Sequence, residues 1–217
     1  MKTLNSSFWI FTLGVAASSA IAQTGSPANA QGATQTLAVD SGIASFHVTT
    51  NIPALEVSGK SSALRARVQM HRDTTGVTLE RIDAWMPVKT LVTGMALRDE
   101  HMRRLVFTTA AGDVPDLRFE SGKIDCPGVA PGHEATCTIA GTLAIRGVER
   151  GFSIPLKVRQ EGNGSAFRAT GEGIVKLSDY GIEQPSQLGV KTSNEVKLHF
   201  DLNGKDGGLV TTAMGRH

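Results

Sequence analysis

Apolar and polar residues alternate with period two along most of this chain, and the clearest case runs from Cys137 to Val158. Cys137, Ile139, Gly141, Leu143 and Ile145 share one face, with Thr136, Thr138, Ala140, Thr142 and Arg146 on or near the other. After a polar turn at Arg146-Gly147-Val148-Glu149-Arg150, Phe152, Ile154, Leu156 and Val158 share a face opposite Ser153, Lys157 and Arg159. Side chains of a strand alternate between its two faces, so this segment predicts an antiparallel hairpin with one dry and one wet side. Such a hairpin is marginal by itself and needs partner strands.

The rest of the chain supplies them. Leu37 and Val39 lead in, and Phe46 and Val48 alternate with His47 and Thr49. Leu64, Ala66, Val68 and Met70 alternate with Arg65, Arg67, Gln69 and His71. After a turn at Asp73-Thr74-Thr75-Gly76, the next strand begins on Val77 and Leu79 and continues on Ile82, Ala84, Met86 and Val88. The parity switches at Glu80-Arg81, which predicts a β-bulge. Residues 93–104 break the pattern and are rich in helix formers; they read as a short helix over an opening between strands, with Met95 and Met102 facing inward. Leu117 and Phe119 mark a strand that ends near Cys126. Phe167, Ala169, Gly171, Gly173, Val175 and Leu177 share a face of another, followed by a turn at residues 178–182. Val196, Leu198, Phe200 and Leu202 form the last strand, and residues 204–217 read as a tail. About eight strands with frequent turn signals fit an all-β sandwich or barrel.

Composition adds little to that picture. The 217 residues suit one all-β domain, and the formal charge of +2 is too small to argue for nucleic acid. Arg65, Arg67, Arg118, Lys157 and Arg159 are scattered on wet faces. The first 22 residues do change the picture. Lys2, an apolar run from Phe8 to Val15 too short to span a bilayer, and Ala20-Ile21-Ala22 read as a signal peptide cleaved after Ala22. Residues 23–35 read as a flexible leader. Export to the periplasm, or secretion, is therefore expected. In an exported chain the two cysteines, Cys126 and Cys137, read first as a disulfide that contributes about 2–3 kcal/mol by loop closure. The alternative is a redox or metal pair with His133 and Glu134, but the spacing matches no standard zinc pattern.

The sequence lacks Gly-x-Ser-x-Gly, His-Glu-x-x-His and a phosphate-cradling glycine loop, and its six histidines are dispersed. No enzyme, cofactor or metal is expected from these residues. Three motifs, in order, do resemble one family. Thr93-Gly94 with Arg98-Asp99-Glu100-His101-Met102-Arg103 is similar to the small-Gly and Arg-Asp-x-His-Leu-Arg segment of the YceI-like family. Gly141 to Arg150 resembles its Gly-x-Leu-Thr-Ile-Arg-Gly-Val-Thr-Arg hairpin, and Asp179-Tyr180-Gly181-Ile182 its Asp-Phe-Gly-Ile turn. The likeness spans Leu37 to Leu202, although residues 47–60, Glu149-Arg150-Gly151 and the loop from Cys126 to Cys137 depart from it.

The resemblance implies an extended, lipocalin-like antiparallel barrel that holds a polyisoprenoid or other long-chain lipid. The inward residues expected to touch that chain are Phe46, Val68, Met86, Met95, Met102, Phe119, Ile139, Leu143, Phe152, Ile154, Phe167, Leu198 and Phe200. The small residues Ala66, Ala84, Gly141, Ala169, Gly171 and Gly173 would leave room among them. Arg98, Asp99 and His101 form a candidate polar mouth; the plainer alternative is that they hold the helix on the barrel. A rival reading is a non-enzymatic periplasmic stress or interaction protein whose barrel is packed shut. A weaker one is a lipid hydrolase or isomerase using His101 and Asp99. A strand edge near Pro155 could pair with a second copy, making a homodimer.

Overall fold

The computed structural model describes residues 33–205, except 73, 75, 131 and 162–165. The expected signal peptide, nearly all of the leader and residues 206–217 of the tail lie outside the described residues. Eight strands close a fully antiparallel barrel: β1 (Ala33–Thr49), β2 (Glu56–Arg72), β3 (Val77–Met86), β4 (Leu117–Asp125), β5 (Glu134–Ile145), β6 (Val148–Glu161), β7 (Ala166–Lys176) and β10 (Glu195–Lys205). Neighbours follow chain order except where β10 inserts between β7 and β1, whose other edge carries β2. A two-residue pair, β8 (Ser186–Gln187) with β9 (Val190–Lys191), stands apart. A seven-residue helix, α1 (Ala96–Met102), runs into a π turn at Arg103–Phe107.

The parity of the sequence carries over. Cys137, Ile139, Leu143, Ile145, Ile154, Leu156 and Val158 are buried, while Lys157, Arg159, Arg65, Arg67 and Arg118 are exposed. The bulge expected at Glu80 is present: Gln69 pairs with Arg81 and Met70 with Leu79, leaving Glu80 unpaired. The same device occurs where β1 and β2 shift register between Val39 and Ala44, so inward residues change from Leu37 and Val39 to Ala44 and Val48. The change from Leu37 and Val39 to Phe46 and Val48 reflects this shift in the apolar pattern, but the small residues between them hide where it falls. The β5–β6 turn is tighter than expected. Val148 already pairs with Ile145, leaving only Arg146 and Gly147, with φ of 55° and 77°. Two left-handed residues are what a two-residue hairpin needs, and Arg146 adopts that conformation without being a usual turn residue. Gly204 and Lys205 belong to β10, where they pair with β7.

The interior divides into two packed clusters. One joins Leu37, Met70, Val77, Leu79, Val129, Cys137, Val158 and Phe167, with Ile82, Ile139, Ile154 and Leu156 above them. Its end is sealed by the loop after β4. Cys126 and Cys137 are disulfide-bonded, and Val129 and Val77 exchange two backbone hydrogen bonds of 3.0 and 3.3 Å. Phe119, Phe152 and Phe200 contact both clusters. The second cluster surrounds the opposite end.

Candidate functional site

Many inward side chains of that second half are only half-buried: Phe46, Val57, Ala84, Phe119, Phe152, Leu198, Phe200 and Leu202. They point into the barrel yet find too few neighbours, because they border a cavity of about 610 Å³. That size falls within the usual range for small-molecule sites, roughly 300–1,000 Å³. Its floor is formed by Ile82, Ile139, Ile154 and Leu156, which also top the sealed cluster. Phe119 and Phe152 meet edge to face in the wall, 6.2 Å between centroids and 83° between planes.

Eleven of the thirteen residues expected to face a ligand line this cavity: Phe46, Met86, Met95, Met102, Phe119, Ile139, Leu143, Phe152, Ile154, Leu198 and Phe200. Val68 and Phe167 do not. Both point inward, but on the sealed side of the floor, where they pack in the closed cluster. Alternation distinguishes inside from outside; it does not tell how far along the bore a residue lies.

The small residues act differently from expectation. Of Ala66, Ala84, Gly141, Ala169, Gly171 and Gly173, only Ala84 lines the cavity. The space beside Gly173 is taken by the Phe152 ring, 2.6 Å from where a Cβ would stand, and the space beside Gly171 by Leu156, at 2.3 Å. At Gly141 the Glu120 carbonyl of β4 comes within 2.1 Å of that position. These glycines accept close neighbours rather than leave voids. The room arises in the open half, where β6 and β7 part: they pair only from Leu156↔Gly171 to Glu161↔Ala166. Arg150 of β6 reaches the turn that follows β7, donating from Nε to the Asp179 carbonyl at 2.7 Å. Pro155, adjoining the point of parting, pairs with Thr138 of β5 on its other side.

The mouth is built from α1 with its π turn, Thr50 and the β8–β9 hairpin, an element that the apolar pattern did not show. Asp99 is buried in α1 and does not reach the cavity. It accepts hydrogen bonds from the Thr93 amide at 2.7 Å and from the Thr93 hydroxyl. The Thr93 hydroxyl is the main cause, with the Thr93 amide and the nearby Arg103 and Arg98 guanidiniums adding to it, that holds this carboxyl below its ordinary range despite burial. Arg98 donates to the Thr93 hydroxyl at 2.8 Å and to its carbonyl at 2.6 Å, while still edging the cavity. His101 Nδ1 lies 2.9 Å from Gln187 Oε1, tying α1 to the hairpin. So Asp99 and His101 turn to different partners and do not form the pair that acid–base chemistry would use. None of the described lining residues is Asp, Glu or Cys, and Arg98, His101 and Arg118 are its titratable groups. Such a wall can hold a hydrocarbon and place a cation near one end of it.

The sequence matches the family model of the YceI-like domain over residues 29–204. Similar solved structures include a polyisoprenoid-binding domain from Saccharophagus degradans implicated in plant cell wall breakdown (15% identity; 79% of this chain and 98% of that chain covered; TM-score 0.58). BcnA of Burkholderia cenocepacia is similar at 18% identity, with coverage of 74% and 95% and a TM-score of 0.55. The YCEI protein of Campylobacter jejuni is similar at 18%, with coverage of 73% and 90% and a TM-score of 0.58. No curated protein matches the sequence.

Proposed function

The chain belongs to the YceI-like family, and from that premise we propose that it is an exported binding protein that holds a long-chain isoprenoid or similar amphipathic lipid in the open half of its barrel. The observation that carries this reading is the cavity of about 610 Å³, lined by half-buried Phe46, Ala84, Phe152, Leu198 and Phe200 and free of carboxylates among the described lining residues. The family fold supports lipid binding in general, and the similar Saccharophagus domain is named for polyisoprenoid binding. Each methylene moved from water into such a lumen contributes roughly 0.8 kcal/mol, so a moderate chain overcomes the cost of ordering both partners. Away from the polar groups of its mouth the wall is mainly apolar, so the bore selects chiefly by girth and length rather than by functional group. The leader sequence and the disulfide both support an oxidising, exported location. With its candidate acid and base bonded elsewhere, the site supports a holder rather than a catalyst.

The test is uptake of a fluorescent prenyl chain delivered from cyclodextrin to the purified protein, with native mass spectrometry of the isolated form. Ala84→Phe, which pushes a ring into the lumen, should cut uptake about tenfold or more by removing roughly 1.5–3 kcal/mol of apolar contact. Absence of both uptake and co-purifying hydrocarbon would sink the proposal in favour of a barrel that serves as an interaction module.

A further inference from the structure

The cavity opens through a ring of apolar side chains that face water. Among the lining residues Leu188 is 96% exposed, Leu97 61% and Met95 58%, and Leu105 is exposed as well; Ile52 and Leu55, also exposed, lie outside the lining, on the segment that Asn51 ties to the hairpin. Single exposed leucines are ordinary; several from separate segments around one opening are not. Leu188 is the most telling. It occupies the first position of the two-residue β8–β9 turn, followed by Gly189, with φ of 49° and 80°. Such positions favour glycine or asparagine. A leucine there incurs backbone strain and presents its whole side chain to solvent without any packing in return.

This ring is held in place. Asn51 accepts the Lys191 amide at 2.8 Å and donates its side-chain amide to the Gly189 carbonyl at 3.0 Å, joining residues 50–55 to the hairpin. His101 and Gln187 join the hairpin to α1. Basic residues accompany the ring. The helix with its π turn and the hairpin carry Arg98, Arg103, Arg104 and Lys191 against Asp99 and Glu100. The combination of exposed apolar tips and an excess of cations complements an anionic lipid surface.

We infer that this rim docks the mouth onto anionic membrane lipid, with Leu188, Leu97 and Met95 entering the interface. The inference rests on the proposed lipid cargo and adds where that cargo is exchanged. A long prenyl chain is nearly insoluble, so release into water would be very slow; a mouth seated in a bilayer passes the chain from one apolar phase to another.

Flotation of the purified full chain with vesicles tests this. One set is phosphatidylcholine alone, the other contains phosphatidylglycerol at 30 mole per cent, a composition of roughly physiological anionic content. Binding is expected on the anionic set only, weakening as salt rises from about 0.05 to 0.5 M. Leu188→Gly removes the side chain and relieves the turn, so it should lower vesicle affinity about tenfold while its unfolding midpoint stays the same or rises. The pair Ile52→Asp and Leu55→Asp should also lower vesicle binding and leave prenyl uptake from cyclodextrin unchanged. Equal binding to both vesicle sets, or undiminished binding of Leu188→Gly, overturns the inference. Vesicle binding that persists in a protein unable to take up the prenyl chain from cyclodextrin supports the docking surface and removes the cargo instead.

Discussion

At the scale of single residues, the polar mouth shows how neighbours decide a role. Arg98, Asp99 and His101 lie close in sequence and look like one constellation, yet Arg98 and Asp99 both bind Thr93 while His101 turns to Gln187. Asp99 is a structural anion: its two bonds from Thr93 fix the segment that leads into α1. Because its carboxyl is held below the ordinary value, the stability it contributes is complete above about pH 3.9 and is lost as pH falls through the lower, folded-state value. Thermal midpoints of wild type and Asp99→Asn should therefore differ most near neutrality and converge as the pH falls below the ordinary carboxylate range. A gap that does not change with pH would show that the charge of Asp99 is irrelevant. The residue types of the mouth are visible in the sequence, but which partner each chooses is not: Thr93 stands at the head of the same motif, while Gln187 comes from a distant hairpin.

At the scale of elements, the apolar alternation located the main strands of the barrel and one bulge, because at Glu80 the parity visibly flips between large residues. Where the residues are small, as around Gly42 and Ser61, the flip from Leu37 and Val39 to Phe46 and Val48 cannot be located. The β8–β9 hairpin is missing from the pattern for a related reason: two-residue strands are shorter than the period needed to see them, and Leu188 is no turn signal. The loop after β4 is the element that closes one end. Its disulfide joins cysteines 11 residues apart, a closure worth about 2–3 kcal/mol, and Cys137 is wholly buried against the sealed cluster. Replacing both cysteines by alanine should lower the unfolding free energy by about that amount in urea titrations. It should leave prenyl uptake within about twofold, because the cavity begins on the far side of Ile139 and Ile154. A large loss of uptake at full folding would mean that the floor is not independent of the loop.

At the scale of the whole molecule, period-two patterning establishes an interior face for every strand but leaves sandwich and barrel equally open. Closure depends on β1 pairing with both β10 and β2, a contact between distant parts of the chain that no local pattern encodes. The resemblance to a known family supplied that step, and the structure bears it out. The described barrel is unequal along its axis: one half is densely packed and the other is lined by residues short of contacts. Amide exchange should report this directly. Backbone amides near Leu37, Val77, Ile139 and Phe167 should exchange more slowly than those near Phe46, Ala84 and Leu198. A bound prenyl chain should slow only the second group. Equal protection along the axis in the lipid-free protein would contradict the two-part interior.

The plug formed by Val129 and its staple has a consequence for traffic. A tube stoppered at one end cannot be threaded: whatever enters must leave by the same door, in reverse. A lipid held there as proposed would enter tail first and leave head first, so its exchange would take place at the head. A guest longer than the bore keeps its remainder outside, where the next handler can reach it.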